Sequence, residues 1–159
     1  MKPVIGITCF VRETTYGNWT RDAAILPSAY ISMVSKAGGV PLIIPPAGDM
    51  TVLMDAIDGL LVSGGPDISP ASYGEEPGPM TTEFYPDQDF SEMGLIKEAL
   101  NRDLPLLGIC RGCKSSVWLM GGRCTSILTP RRGTKGTVVS PGSLPSMEWL
   151  SRKALAYPT

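Results

Sequence analysis

Four short runs of apolar residues divide the first 112 residues of the chain. They are rich in Val, Ile and Leu, contain almost no polar residues, and occupy residues 3–8, 40–46, 59–65 and 104–109. Runs of this length without alternating polar positions are typical of strands buried on both faces. The pattern therefore predicts four strands at the centre of a sheet.

The segments between these runs show a different period. Apolar residues recur at helical spacing in residues 26–39, 51–58 and 89–103. In the third segment Asp89 is a candidate N-cap, and Phe90, Met93, Ile96 and Leu100 form the predicted apolar stripe. The polar, irregular segments 11–24 and 66–87 are predicted to be loops.

Strands buried on both faces and alternating with helices indicate parallel pairing with right-handed crossovers. The predicted fold is α/β, with a doubly wound, mostly parallel sheet and helices on both faces, a flavodoxin-like three-layer sandwich. In such sheets ligands bind at the carboxyl ends of the strands. Two glycine-containing turns, "SGGPD" at 63–67 and "GICRG" at 108–112, follow strands and are expected at that edge.

Composition restricts the class of protein. The chain has 159 residues, 43% of them apolar, which is consistent with one domain at most. Because it lacks a long apolar run and a signal-peptide pattern, we expect a cytoplasmic protein with no membrane contact. Four cysteines do not make a disulfide framework in a chain of this size, and Cys9 is predicted to lie in the core.

Charge changes sign near the C-terminus. Residues 1–120 hold 8 basic and 14 acidic residues, whereas residues 121–159 hold 6 basic residues and only one acid, Glu148. A basic tail can bind nucleic acid, but this one has little aromatic interleaving and no recognisable motif. We therefore expect no nucleic-acid partner, and the alternatives are a disordered tail or a segment that was never selected to fold.

Cys110 is the candidate nucleophile. It follows a predicted buried strand and lies between Gly108 and Gly112, the G-x-Nuc-x-G spacing of a nucleophile elbow. Glycines permit the sharp turn that exposes the sulfur near the start of the next helix. The alternative is a buried cysteine before a loop, with glycines that merely end the strand. In the other turn, Gly64 and Gly65 could bring a backbone N–H group close to a developing oxyanion.

Together these segments resemble a known family. "KPVIGITC", "AYISMVSKAGGVPLIIPP", "DGLLVSGGPDISPASYGEEP" and "DLPLLGICRG" are similar to class I glutamine amidotransferase-like proteins, above all to the γ-glutamyl-γ-aminobutyrate hydrolase branch. The resemblance covers residues 2 to about 112. It implies hydrolysis of a γ-glutamyl amide, a small-molecule substrate, through a cysteine thioester and without metal or other cofactor.

The resemblance also implies roles for individual residues. Cys110 would be the nucleophile, and the backbone N–H groups of Gly65 and Arg111 would form the oxyanion hole. Gly64 and Asp67 would belong to the loop beside the substrate pocket, with Asp67 more suited to holding the loop than to touching substrate. Neither the oligomeric state nor the particular γ-glutamyl compound follows from the resemblance.

The resemblance ends after Gly112. The family expects a glutamine soon after the elbow, then a "GGTLxQ" segment and, later, a histidine and a glutamate that complete the triad, whereas this chain contains no histidine. A single-base deletion near codon 113 explains the change. In the shifted frame Cys113–Lys114 permits glutamine, and later codons permit "GGTLYQ". We therefore predict residues 1–112 to be the N-terminal part of the domain, with its C-terminal part missing, and residues 113–159 to be an out-of-frame or disordered tail.

Two functional expectations follow. A γ-glutamyl hydrolase without its histidine and glutamate should be inactive or strongly impaired. The alternative is a non-catalytic remnant that acts, if at all, as an α/β module binding a small molecule or a partner. The C-x-x-C match of Cys110 and Cys113 is not interpreted as a redox or zinc motif, because four zinc ligands are not available.

Overall fold

The computed structural model describes residues 1–73, 76–77, 83–119 and 137–138. Two 3₁₀ helices cover Thr51–Ala56 and Pro70–Tyr73. In chain order the other elements are β1 (Val4–Thr8), β2 (Phe10–Tyr16), β3 (Trp19–Ile25), α1 (Ser28–Lys36), β4 (Val40–Ile44), β5 (Gly59–Val62), α2 (Pro86–Asn101), β6 (Leu106–Gly108), α3 (Arg111–Leu119) and β7 (Thr137–Val138).

The predicted mostly parallel sheet is confirmed. The strand order is β4-β1-β5-β6-β7; the first four strands are parallel, and β7 pairs antiparallel with β6. All four predicted strands are present, each shortened by one to three residues at one or both ends. Because the strands are parallel, the ends of β1, β5 and β6 lie at one edge, where both glycine-containing turns emerge.

Both faces of the sheet are covered, as the unbroken apolar runs predicted. On one face Leu60, Val62 and Leu106 pack against apolar residues of α2 and of the first 3₁₀ helix. On the other face Leu61 and Leu107 pack with Val34 of α1. Successive residues of β5 thus enter different cores, which explains why the strand shows no polar alternation.

The prediction that residues 11–24 form a loop is wrong. Strands β2 and β3 pair antiparallel through a two-residue turn at Gly17–Asn18, with Tyr16 opposite Trp19. Gly17 has a φ of +58°, the left-handed conformation that glycine accepts readily. Both faces of β3 are largely exposed. The segment therefore lacks the alternation of apolar and polar residues that marks a half-buried strand. The turn residues were the only strong sign of a hairpin.

Helix α2 begins earlier than predicted and buries a different face. Its first residue is Pro86, after Tyr85 at the N-cap, so Asp89 lies inside the helix rather than at its cap. Phe90, assigned to the apolar stripe, is exposed. The buried residues are instead a mixed polar and apolar set: Gln88, Asp89, Ser91, Glu92, Leu95, Ile96 and Ala99. The buried acids pack against a basic residue described below, which the periodicity of the helix could not reveal.

Two further differences concern helices. The segment predicted as a helix over 51–58 is a shorter 3₁₀ helix, Thr51–Ala56. The helix expected after the Cys110 turn is present as α3, but it extends from Arg111 to Leu119, across the proposed boundary at Gly112. Among its described side chains, Ser115 and Ser116 are buried and donate to the carbonyls four residues earlier. The basic residues of 121–136 lie outside the described residues, so the tail assignment stays a prediction.

Candidate functional site

Cys110 lies at the turn between β6 and α3. Its φ is +54°, a backbone conformation that non-glycine residues rarely adopt and that costs on the order of 1–3 kcal/mol. The residue is exposed, whereas Cys9 and Cys113 are buried. A strained, exposed cysteine directly before a helix is the arrangement predicted from the G-x-C-x-G spacing.

The two glycines of this turn are required by close backbone packing. A Cβ atom on Gly108 would lie 2.5 Å from the carbonyl oxygen of Gly112. A Cβ atom on Gly112 would lie 2.4 Å from the carbonyl oxygen of Val62 in the neighbouring strand. Both distances are far shorter than a van der Waals contact. The glycines therefore allow α3 to start directly against β5 and β6, which forces the sharp turn at Cys110.

The second predicted turn lies beside the first. A Cβ atom placed on Gly64 would be 3.5 Å from the Cβ atom of Cys110. The N–H of Gly64 donates a hydrogen bond of 3.0 Å to the hydroxyl of Tyr30 in α1. Gly65 is exposed and lies against the side chains of Arg111 and Gln88. The structure thus brings Cys110, Gly64, Gly65 and Arg111 together.

Buried polar contacts hold the start of this second turn. The N–H of Ser63 donates a 3.0 Å hydrogen bond to the hydroxyl of Thr8 at the end of β1. Both residues are buried. At the end of β5, the carbonyl of Val62 accepts the N–H of Ile109 at 3.0 Å. Hydrogen bonds therefore connect the ends of β1, β5 and β6 next to the turn that carries Cys110.

The start of α3 presents backbone donors. The N–H groups of Gly112 and Cys113 donate to the carbonyls of Ile109 and Cys110 at 3.0 and 3.1 Å. Within the described residues, no acceptor is found for the N–H of Arg111, the first residue of the helix. A free N–H at a helix start is suited to bind a negatively charged oxygen.

The side chain of Arg111 is the feature that sequence reasoning missed. It is 3% exposed, and its guanidinium donates to the carboxylates of Asp89 and Glu92, which are equally buried. Burial lowers the pKa of the Arg111 guanidinium, and the hydrogen bond and charge of Asp89 oppose that shift. Removing one partner of a buried ion pair of this kind lowers the stability of the fold by several kcal/mol, because the remaining buried charge is uncompensated.

These three residues belong to a longer polar network. The other oxygen of Glu92 accepts a 2.9 Å hydrogen bond from the amide of Gln88, whose own oxygen accepts one of 2.8 Å from Arg12. The other oxygen of Asp89 accepts the N–H of Ser69 at 2.8 Å. The network therefore joins the β2–β3 hairpin, helix α2, the loop after β5 and the Cys110 turn.

Arg12 ends the network on the hairpin side. Its guanidinium lies over the ring of Tyr85, 3.1 Å from the ring centroid, and near that of Phe10. The hydroxyl of Tyr85 donates a 2.7 Å hydrogen bond to Glu83, and this bond raises the pKa of Tyr85. The hairpin that was predicted to be a loop thus contacts the first turn of α2 through side chains.

Asp67 lies where the sequence placed it, in the loop after Gly64 and Gly65. It forms an isolated bridge with Phe84, and its charge acts on Arg111. Further along the same loop, Glu76 is exposed and Glu75 lies outside the described residues. Asp89 and Glu92 were not predicted as site residues, and their one usable signal was a spacing of three, which places two acids on the same face of a helix.

The described part of the chain contains neither a candidate metal cluster nor a helix that could span a membrane. No group of three or more His, Cys, Asp or Glu side chains there has an arrangement suited to a metal ion. None of the helices in that part of the chain is long and apolar enough to span a bilayer.

Comparison with known proteins points to one family. Residues 3–137 match the Peptidase C26 family. A putative glutamine amidotransferase of Mycobacterium tuberculosis is 36% identical over 125 residues, which cover 76% of this chain and 41% of that protein. The γ-glutamyl-γ-aminobutyrate hydrolase of Escherichia coli K12 is 31% identical over 125 residues, covering 76% of this chain and 47% of the enzyme.

A third relative, protein NtpR of Enterococcus hirae, is 33% identical over 135 residues, covering 81% of this chain and 55% of that protein. The chain thus spans about half the length, or less, of the curated relatives it matches. The family match and the identity over three quarters of the chain agree with the resemblance of the strand, loop and elbow motifs. The chain belongs to the Peptidase C26 family of class I glutamine amidotransferase-like proteins.

Proposed function

We propose that this domain descends from a hydrolase of γ-glutamyl amides in which Cys110 is the nucleophile. The observation that carries the proposal is the conformation of Cys110: exposed, at a φ of +54°, between two glycines that admit no side chain. Support also comes from the relatives, one of which is named a γ-glutamyl-γ-aminobutyrate hydrolase.

The reaction would proceed through a thioester. The Cys110 thiolate attacks the γ-carbonyl carbon, and the carbonyl π electrons move onto the oxygen. The N–H groups of Gly65 and Arg111 donate to that oxyanion, which is the type of stabilisation that contributes most in acyl transfer. Collapse of the tetrahedral intermediate expels the amine, which takes up a proton, and water then hydrolyses the γ-glutamyl thioester. Gly64 and Asp67 border the pocket in this proposal.

Leaving-group chemistry decides what this chain can do. Amide cleavage needs an acid that protonates the departing amine, a role that histidine performs in cysteine hydrolases. The chain contains no histidine. We therefore expect acylation of Cys110 by γ-glutamyl esters with good leaving groups, which need no proton, and very slow or no turnover of γ-glutamyl amides.

The experiment uses γ-glutamyl p-nitrophenyl ester as the acyl donor. The release of p-nitrophenolate is followed by absorbance, and the acylated protein is identified by intact mass and peptide mapping. The expected result is one γ-glutamyl group per chain, attached to Cys110. Cys110→Ala should abolish the acylation, and Cys113→Ala, which removes the buried cysteine of the same turn, should retain it.

Selectivity separates a binding site from general thiol reactivity. p-Nitrophenyl acetate carries the same leaving group without the γ-glutamyl part, so the site should react faster with the γ-glutamyl ester after correction for the intrinsic reactivity of both esters. Equal corrected rates, or undiminished acylation of Cys110→Ala, would contradict the proposed function.

A second candidate function rests on the missing histidine. Without a base, the domain could remain a non-catalytic module that binds a γ-glutamyl compound or a partner. Calorimetric titration with a γ-glutamyl amide, combined with the ester assay, distinguishes the two candidates. A binding module would bind the amide, but its Cys110 would react with neither ester selectively.

We also propose that residues 113–159 are translated out of frame and that the original domain continued in the other frame. Two observations support this proposal: the net charge changes from negative in residues 1–120 to positive in residues 121–159, and the codons after Gly112 permit the family's motifs in the shifted frame. The family match nevertheless extends to residue 137. Sequencing the gene from codon 105 onward tests it. One additional base after codon 112 that opens a frame through "GGTLYQ" to a His-x-Glu pair supports the proposal. If no alternative frame stays open, the tail is genuine.

A further inference from the structure

The side chain of Arg111 is more deeply anchored than its backbone role requires. In the proposed function only its N–H contacts the reacting group, and any residue type except proline supplies an N–H. Yet its guanidinium is buried between Asp89 and Glu92, two residues of the neighbouring helix α2. Burying three charged groups is costly unless their geometry is well matched. Residues outside the turn therefore fix this side chain firmly.

The anchored side chain lies next to the strained residue. Cys110 has a φ of +54°, and such a conformation persists only where the surrounding structure holds it in place. On the carboxyl side of Cys110 two features restrain the chain. One is the close approach of Gly112 to Val62, and the other is the ion pairing of Arg111 to α2.

The loop that would supply the second oxyanion donor contacts the same network. Gly65 lies against the Arg111 side chain and the Gln88 amide, and Gln88 donates to Glu92. The N–H of Ser69, four residues after Gly65, donates to Asp89. Both candidate oxyanion donors are thus linked to the carboxylates of α2, one through a side chain and the other through its loop.

We infer that Glu92 and Asp89 are positioning residues: through the Arg111 guanidinium and the loop after β5, they hold the backbone N–H groups of Arg111 and Gly65 in line with Cys110 for oxyanion stabilisation. The inference rests on the proposed function and extends it to residues that never touch the substrate. It predicts that breaking the buried pairs impairs acyl transfer selectively and leaves other reactions of the Cys110 thiol unaffected.

The test compares two reactions of the same sulfur atom. Acylation by γ-glutamyl p-nitrophenyl ester builds an oxyanion, whereas alkylation by iodoacetamide displaces iodide and builds none. For Glu92→Gln we expect acylation to slow by roughly tenfold, part of the 100- to 1,000-fold effect of removing an oxyanion donor outright. Alkylation of Cys110 by iodoacetamide should be unchanged. A role in stability alone would lower the melting temperature without changing the ratio of the two rates.

Helix α2 offers a matched control. Glu98 lies on the same helix and also pairs with an arginine, Arg102, away from the nucleophile turn. Glu98→Gln therefore removes the same type of charge in the same element, and it should change neither rate. If Glu92→Gln does not fold, Arg111→Lys provides the same comparison, because lysine keeps the charge but lacks the planar fork that reaches both carboxylates.

The outcomes separate this inference from the proposed function. If the unmodified chain shows no preference for the γ-glutamyl ester, the proposed function fails and the inference fails with it. If the unmodified chain is selective but Glu92→Gln or Arg111→Lys lowers both rates equally, or lowers neither, the proposed function stands and the positioning role is refuted. An equally large loss in Glu98→Gln would refute it as well.

Discussion

Replacing Gly112 with alanine tests the packing that creates the sharp turn at Cys110. The new Cβ atom would lie 2.4 Å from the Val62 carbonyl oxygen and 2.8 Å from the Val62 Cβ atom, whereas ordinary contact begins at 3.4 Å, so the two distances are about 1.0 and 0.6 Å too short. Val62 is fully buried in β5, between β1 and β6, so its backbone has little freedom to move. Helix α3 must therefore shift away from the sheet.

The expected cost combines three effects. Overpacking in a core costs about 1–3 kcal/mol. Weakening the hydrogen bond from the Ile109 N–H to the Val62 carbonyl costs about 1 kcal/mol more. The better helix propensity of alanine returns at most about 1 kcal/mol. We therefore expect Gly112→Ala to lower the free energy of unfolding by about 2 kcal/mol, or the melting temperature by roughly 4–8 °C in a chain of this size.

Urea unfolding followed by circular dichroism measures this change, and Gly94→Ala is the matched control. Gly94 lies inside α2, and the nearest atom to its added Cβ is 4.0 Å away, on Thr51. The control should stabilise the chain by about 0.5–1 kcal/mol, because alanine favours a helix interior over glycine. If Gly112→Ala is as stable as the unmodified chain, the close approach of α3 to β5 does not exist as described.

Two further predictions concern single groups near the site. Tyr30→Phe removes the acceptor of the Gly64 N–H and should cost about 1 kcal/mol in urea unfolding; an unchanged midpoint would show that this bond contributes nothing. Burial raises the pKa of the Cys9 thiol, so the folded state keeps a proton that the unfolded chain loses above about pH 8.5. The free energy of unfolding should therefore fall as the pH rises beyond that value. In Cys9→Ala the fall should be shallower, and an equally steep fall in both proteins would assign the effect to another group.

Local sequence patterns predicted an element correctly where neighbouring residues alone specify its conformation. The four apolar runs form four parallel strands. Because each strand is buried on both faces, its run is apolar throughout and can be identified without knowing which strand pairs with it. The elbow at Cys110 follows from glycines two positions away on either side, since only residues without a side chain fit there. Its closeness to Gly64 follows from the rule that parallel strands end at one edge.

Patterns failed where a residue's environment comes from distant parts of the chain. The β2–β3 hairpin has no buried face of its own, so its sequence shows no alternation of apolar and polar residues. Only the turn at Gly17 indicated a hairpin. In the sequence Asp89 and Glu92 have the spacing of a helix N-cap and the residue three positions on, yet in the fold both are buried against a cation 22 and 19 residues away.

The sequence by itself therefore determined the fold class, the position of the strained Cys110 turn and the family. Only the tertiary structure decided which side chains support that turn. The reason is physical: a strand or a glycine turn is specified by neighbouring residues, whereas the stability of a buried charge depends on partners that folding brings within hydrogen-bonding distance. Arg111 shows both sides, because its place in the motif was evident from the sequence while its two carboxylate partners were not.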